Sequence, residues 1–195
     1  ARVVKSMFRI VLIVLAFEFA IGSEPERVVS EFHDELLSSM KSDAAFVERY
    51  MVLDEAVGKA FDVATITRIS LGKSWREQSA EERVGFSALL RELIVATYTS
   101  RFSSFSNQSF ETIEATEVRD GRWVVKTHLV KKDGGIVRLD YYFRDGLVFN
   151  VVADGVSDLS LRRADYASII GSEGLDGLRR SIRDSIEEYR SSDAP

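Results

Sequence analysis

The sequence contains no cysteine, only two prolines and only two histidines among its 195 residues. Without cysteine, the chain forms no disulfide, binds no metal through a thiolate and performs no thiol catalysis. The scarcity of proline, together with 45 % hydrophobic residues, excludes disordered, collagen-like and disulfide-scaffold compositions. A chain of this length is expected to form one ordinary domain, or at most one domain with a decorated end. Such a chain buries about 70 % of its unfolded surface and needs no disulfide for stability.

An excess of positive charge is also missing. The formal net charge is -5 at pH 7 and the isoelectric point is about 5.2. Affinity for nucleic acid depends on Lys and Arg side chains that neutralise phosphates, and no basic stripe runs along this sequence. We therefore expect no nucleic-acid partner.

The first 22 residues have the pattern of a secretory signal. Arg2, Lys5 and Arg9 precede an apolar run over residues 10–17, and small residues follow at positions 20 and 22. A membrane span needs about 20 apolar residues, which this run does not provide. We predict a signal peptide over 1–22, one domain over 23–190, a polar tail over 191–195 and a periplasmic location; a buried N-terminal helix or an uncleaved anchor is the alternative.

Helical spacing of apolar residues dominates the first half of the remaining chain. Capping-box patterns at residues 23–26 and 79–82 predict two helix starts, the second opening a long helix that reaches Phe102. Between them, a helical stretch begins near Phe46, and Asp54 and Asp62 are placed to cap two short helices. Helical spacing returns at about 159–170 and 174–189.

The apolar period changes from about 3.6 to 2 in the middle of the chain. Alternating runs are separated by Asp-Gly turns, which favour hairpins. The runs lie at residues 110–118, 123–130, 136–143 and 147–151. Helices, then strands, then helices predict an α+β fold: a four-stranded antiparallel meander sheet packed on several helices.

The sequence offers little chemistry. His33 lies beside the apolar stripe of the first helix and His128 alternates away from the Trp123 face of its strand, so both are expected to be surface or hydrogen-bonded structural side chains. The glycine-rich segment 171–177 does not follow a strand and lacks the lysine of a phosphate loop. The aspartates after residue 139 lack calcium-loop spacing. We predict no catalytic residue, no metal and no cofactor.

Apolar side chains on one sheet face oppose apolar helices. A filled core and a deep apolar pocket have the same composition and periodicity, so the pattern leaves both open. The basic pairs at 162–163 and 179–180 are typical of an exposed helix surface.

Over residues 28–182 the sequence resembles the MlaC, or toluene-tolerance, family of periplasmic lipid-transport proteins. The resemblance rests on the order and spacing of several short motifs. They are Phe61-Asp62, Leu71-Gly72-x-x-Trp75, Phe86, Thr97-Tyr98, Asp154-Gly155-Val156-Ser157, Arg163, Tyr166 and Gly174-x-Asp176-Gly177-Leu178. The segments 97–102 and 137–141 look closer still to the subgroup encoded with hopanoid-biosynthesis genes.

The resemblance implies an MlaC-like (NTF2-like) fold with an apolar pocket between sheet and helices. It also implies a non-enzymatic, monomeric shuttle for a phospholipid or a hopanoid-type lipid. The expected protein partners are an inner-membrane ABC transporter with its MCE-domain ring and an outer-membrane lipoprotein complex.

Candidate lipid-binding residues are apolar or aromatic side chains from both layers, and aspartate in place of Leu93 or Leu139 is expected to abolish lipid retention. The full set is Phe61, Ile66, Trp75, Leu90, Leu93, Tyr98, Phe102, Trp123, Val125, Leu139, Tyr141 and Val151.

Two other functions compete with the carrier. A protein-interaction adaptor would have a filled core and no pocket. An enzyme on the same scaffold would need paired Asp and His side chains in the pocket, whereas Asp140 and His128 alternate away from the aromatic face.

Overall fold

The computed structural model describes residues 22–192, so most of the predicted signal peptide and residues 193–195 lie outside it. Five helices precede an antiparallel sheet and a long kinked helix follows it. The helices are α1 (Glu24–Lys41), α2 (Phe46–Ala60), α3 (Val63–Leu71), α4 (Ser74–Glu77), α5 (Ala80–Arg101) and α6 (Asp158–Ser192). The strands are β1 (Ser109–Arg119), β2 (Arg122–Val130), β3 (Ile136–Arg144), β4 (Leu147–Ala153) and β5 (Val156–Ser157).

Three predicted helix starts are confirmed by their caps. The Ser23 hydroxyl accepts a hydrogen bond from the Glu26 N–H at 3.4 Å, and the Asp62 carboxylate accepts from the Thr65 N–H at 2.9 Å. Ser79 and Glu82 form a reciprocal capping box at the start of α5. Each cap satisfies N–H groups that the first helical turn leaves unpaired.

The predicted helix start at Asp54 is wrong, because α2 is continuous through this residue. The Asp54 carboxylate instead accepts a 2.6 Å hydrogen bond from Arg91 Nε of α5, and the Asp54 carbonyl accepts a second one from the same guanidinium. An aspartate can cap a helix or pair across two helices, and local spacing does not distinguish these roles. Here the carboxylate joins α2 to α5.

The sheet has five strands, not the predicted four, in the order β1-β2-β3-β4-β5 with antiparallel neighbours. The additional strand β5 is two residues long, too short for an alternating pattern to be detected. It follows the turn at Asp154 and Gly155, whose φ angles of 48° and 85° match the Asp-Gly signature of a tight hairpin.

The core lies between one face of this sheet and the helices. Val125, Tyr141 and Phe143 project from the sheet, and each is at most 2 % exposed. Leu53 of α2 and Leu178 of α6 are completely buried in the same cluster. The predicted α+β arrangement, with the helices on one face, is therefore confirmed. Within residues 22–192, no helix combines the length and the apolar character required to cross a membrane.

The last helix bends at Gly174, which agrees with the two helical stretches predicted from the sequence. Its φ of 70° and ψ of -175° lie in a region that essentially only glycine occupies. The second stretch continues to Ser192, so the first residues of the predicted polar tail are helical.

Replacing Gly174 with alanine is expected to lower the free energy of unfolding by about 1–3 kcal/mol, because a Cβ atom strains this backbone conformation. Gly171→Ala is the matched control. Gly171 lies in the same helix, its φ is not positive, and an added Cβ would meet no atom within 4 Å. This control is expected to gain roughly 0.5–1 kcal/mol from helix propensity. Urea unfolding of both variants measures the difference, and equal effects would contradict a conformational role for Gly174.

Candidate functional site

A cavity of about 830 Å³ lies between the sheet and helices α1, α3, α5 and α6. Its inner wall is apolar and comes from both layers. Buried residues of this wall include Met40 of α1, Ile66 of α3, Ile94 of α5 and Tyr141 of β3. A cavity of this size falls in the range of about 300–1,000 Å³ that is typical of small-ligand sites.

The junction between α2 and α3 places two wall residues. Phe61, where α2 ends, forms a parallel bridge with Val148 of β4, and the Asp62 N–H donates a 2.9 Å hydrogen bond to the Val148 carbonyl. Asp62 then caps α3. The helix pair is thus anchored to the sheet by its backbone, which directs Phe61 and Ile66 towards the cavity.

Aromatic rings form a continuous layer below the cavity. The Phe32 ring lies edge-on to Phe61 and to Tyr98, with centroids 5.1 Å away in each case. Tyr98 stacks on Phe102 at 5.9 Å, and Phe102 packs against Phe110 at 6.1 Å. Edge-to-face and stacked pairs at these distances are favourable beyond the area they bury. Three rings of this layer, Phe61, Tyr98 and Phe102, line the cavity.

A buried histidine, His33, has a hydrogen-bond partner at the cavity wall. His33 Nε2 lies 2.9 Å from the Tyr141 hydroxyl, and the imidazole stacks on Phe110 at 3.9 Å. Burial lowers the pKa of His33 to about 3, so the ring is neutral at physiological pH. Burial also raises the pKa of Tyr141 well above its ordinary value. His33 is thus the hydrogen-bonded structural histidine that the sequence predicts.

The buried His33 makes stability depend on pH. An unfolded histidine takes up a proton near pH 6.5, whereas the folded one does so only near pH 3. Between these values the unfolded state binds more protons, so the free energy of unfolding falls as the pH falls. The expected loss from this group is about 2 kcal/mol between pH 6.5 and 4.5.

Urea unfolding at several pH values measures this loss. His33→Gln should remove this part of the pH dependence, whatever it does to stability at neutral pH. His128→Gln, on a strand and only half-buried, should keep it. An unchanged pH slope in His33→Gln would contradict the assignment.

Strand β4 is bulged where it meets the cavity. Tyr142 pairs with Asn150 but Phe143 pairs with Val148, so Phe149 has no partner across the strand pair. Bulges of this kind redirect side chains. Val148 is buried in the core, whereas Phe149 lines the cavity with the Arg144 guanidinium 5.2 Å from its ring centroid.

Charged side chains are found at the exposed edge of the cavity. Arg101 ends α5, and Lys131 and Lys132 follow β2; we call these three residues the rim cations. All three are exposed, as is the neighbouring Asp133. A further cation, Arg162, also lines the cavity but forms a 2.6 Å ion pair with Asp158. Arg162 differs from the predicted helix surface, because only 13 % of its side chain is exposed.

Comparison with known proteins assigns the chain to a family. The family model described as MlaC protein matches residues 30–184. The chain belongs to the MlaC family.

Two individual proteins are similar to this MlaC-family chain. The intermembrane phospholipid transport system binding protein MlaC of Haemophilus influenzae is 25 % identical over 126 residues, which cover 60 % of this chain and 59 % of that protein. This chain thus spans less than two thirds of the relative's length. A phospholipid-binding protein from Ralstonia solanacearum, solved in complex with a phospholipid, has a TM-score of 0.73 at 18 % identity. The match covers 86 % of this chain and 99 % of that one, and it shows a shared fold.

Seven of the twelve candidate binding residues line the cavity of this MlaC-family protein, and five do not. Those at the cavity are Phe61, Ile66, Tyr98, Phe102, Leu139, Tyr141 and Val151. Leu90 and Val125 are completely or almost completely buried in the core, and Leu93 is half-buried outside the cavity. Trp75 lies in α4 with Arg83 over its ring, and Trp123 lies half-buried at the start of β2.

Trp75 belongs to α4, no residue of which lines the cavity. The other four lie on the correct face of α5 or β2 but elsewhere along these elements. On α5 the cavity begins at Ile94, one residue after Leu93, and on β2 it begins at Leu129, four residues after Val125. Periodicity identifies the face of a helix or strand. It carries no information on where along that face the two layers separate.

Other lining residues were not among the sequence candidates. Alternation on the same sheet face could have identified Leu129, Val137 and Phe149. Ile94, one turn before Tyr98, could have been found from the helical spacing of α5. No local sequence pattern identifies the rim cations as cavity-lining residues, since a turn with two lysines is common. Within residues 22–192, no group of His, Asp and Glu side chains is arranged to hold a metal ion.

Proposed function

We propose that this protein is a periplasmic lipid carrier that binds phospholipid tails in the cavity and releases them to membrane partners. The observation that carries the proposal is the cavity itself, whose inner wall is largely apolar. Its exposed edge carries the rim cations, and its one mostly buried cation, Arg162, is paired with Asp158. A core filled by side chains, as an adaptor would have, would leave no such space.

The energetics fit a carrier. An acyl chain of roughly 15 carbons faces a cost of about 12 kcal/mol when it passes from a membrane into water, at about 0.8 kcal/mol for each methylene. An apolar cavity replaces most of the lost environment. Binding and release then need no covalent step.

The polar groups near the cavity support a non-enzymatic role. His33 contacts the cavity-lining Tyr141, and its pKa of about 3 makes it a poor general base at neutral pH. Its Nε2 is also held by the Tyr141 hydroxyl. His128 and Asp140 lie on adjacent strands and neither lines the cavity.

The names of the similar proteins support a lipid class. Both similar proteins carry phospholipid in their names, which supports a phospholipid over a hopanoid-type lipid. The name of the Haemophilus protein also supports service in an intermembrane transport system. We propose an inner-membrane ABC transporter with an MCE-domain ring as one partner and an outer-membrane lipoprotein complex as the other, with the carrier acting as a monomer and without a cofactor.

Purification from the native periplasm, native mass spectrometry and analysis of the extracted lipid test this proposal together. One phospholipid for each protein is the expected result. A polycyclic triterpenoid would move the assignment to the hopanoid subgroup. A protein that is isolated empty and takes up no lipid from liposomes would overturn the carrier and favour the adaptor.

A further inference from the structure

The rim cations are a local positive cluster on an acidic protein. The whole chain has a net charge of -5, yet Arg101, Lys131 and Lys132 line one cavity with Asp133 as the neighbouring acid. Asp133 is engaged locally, since its carboxylate accepts a 2.9 Å hydrogen bond from the Gly135 N–H. Arg101, Lys131, Lys132 and Asp133 together therefore give this edge of the cavity an excess of two positive charges.

The rim cations have no ionic partner among the described residues. Several other cations of the chain are paired, such as Arg27 with Glu31, Lys59 with Glu55, and Lys126 with Glu114, each within 2.8 Å. No side-chain hydrogen bond or ion pair within residues 22–192 involves Arg101, Lys131 or Lys132. Three such groups beside one opening leave their charge available for a ligand.

The fold brings these residues together from distant parts of the sequence. Arg101 is the last residue of α5, and the lysines lie in the turn between β2 and β3. Pairing of Ser109 with Val130 holds the segment after α5 next to this turn, and Ser106 and Gln108 of that segment also line the cavity. Polar and positively charged groups therefore surround the exposed end of an apolar space.

From this arrangement, and resting on the proposed function, we propose that the rim cations bind the phosphate of the lipid headgroup and select lipids with a net negative headgroup. A phosphate diester carries one negative charge, which Arg and Lys side chains bind by charge-assisted hydrogen bonds. A zwitterionic headgroup adds a cationic nitrogen close to the same phosphate, and the three side chains repel it. A glycerol headgroup adds hydroxyl groups without charge.

Competition between two lipids with identical acyl chains tests the proposal. The protein is incubated with vesicles of equal parts phosphatidylglycerol and phosphatidylcholine, recovered, and analysed by native mass spectrometry. We expect the wild type to take up roughly fivefold to tenfold more phosphatidylglycerol, consistent with three exposed ionic contacts. The triple variant R101Q/K131Q/K132Q should take up both lipids about equally, and high salt should reduce the wild-type preference.

The variant R68Q/K73Q/R183Q is the matched control. It removes the same charge from three exposed cations that do not line the cavity, and it should keep the preference. Equal uptake of both lipids by the wild type, or a preference that survives in R101Q/K131Q/K132Q, would overturn the inference alone. Uptake of neither lipid by the wild type would overturn the proposed function, and this inference with it.

A second experiment distinguishes a lipid headgroup from free inorganic phosphate as the ligand of the rim cations. Calorimetry with inorganic phosphate and lipid-free protein should show no measurable binding, because the tails supply most of the affinity. Tight phosphate binding would overturn the assignment of the rim cations to a lipid headgroup.

Discussion

Replacing Leu139 with aspartate is expected to remove more than nine tenths of the lipid that the wild-type protein retains. Leu139 projects from β3 into the cavity, where its half-buried side chain borders empty space. A bound tail would bury the new carboxylate, and burial of an unpaired charge costs several kcal/mol. Water can fill the empty cavity, so the lipid-free variant should still fold.

Leu93→Asp is the informative comparison, because sequence periodicity predicts the same loss for both positions. Leu93 is also half-buried, but it does not line the cavity. We therefore expect this variant to retain lipid at close to the wild-type level for the fraction that is folded. Lipid content by mass spectrometry and thermal unfolding, measured on both variants, separate loss of binding from loss of folding. Wild-type lipid content in folded Leu139→Asp would contradict the placement of the tails.

Replacing Phe86 with alanine is expected to lower the free energy of unfolding by about 3–5 kcal/mol. Phe86 lies on α5, is 2 % exposed, and has the guanidinium of Arg179 of α6 4.4 Å from its ring centroid. The substitution creates a cavity and removes a cation–π contact between α5 and the half of α6 beyond Gly174. A loss this large is a major part of the stability of a single domain.

Val84→Ala, two residues earlier on the same helix, provides the control. Val84 is 71 % exposed, so its truncation should change the free energy of unfolding by less than about 0.5 kcal/mol. Urea titration of both variants measures the two effects. A small loss for Phe86→Ala would contradict a close contact between α5 and the end of α6.

Much of the architecture could be predicted from local pattern. Ser79 and Glu82 mark the start of α5 because a capping box satisfies backbone groups within four residues. The alternation around Val125 and Tyr141 identifies strands and their buried face, since the strand period is two. The Asp-Gly pairs mark tight turns because such turns require positive φ angles. Each of these features depends only on neighbours in the sequence.

Other features depend on partners that are distant in the sequence. Asp54 is of a residue type that often caps helices, but its carboxylate binds Arg91, 37 residues away. The bulge that leaves Val148 buried in the core while its neighbour Phe149 lines the cavity arises from the register of β4 against β3. Strand β5 exists because it pairs with β4, since two residues have no period of their own.

The same distinction between local pattern and distant contacts applies to the candidate site. The sequence by itself determined the fold class, the order of the elements, the buried face of each and the absence of cysteine chemistry, because all of these follow from composition and short-range spacing. Only the tertiary structure decided where the layers separate. It placed the cavity at the end of α5 rather than at Leu90, and it brought Arg101, Lys131 and Lys132 to the same cavity. Packing sets those distances, and side chains that pack a core have the same hydrophobicity as side chains that line a cavity.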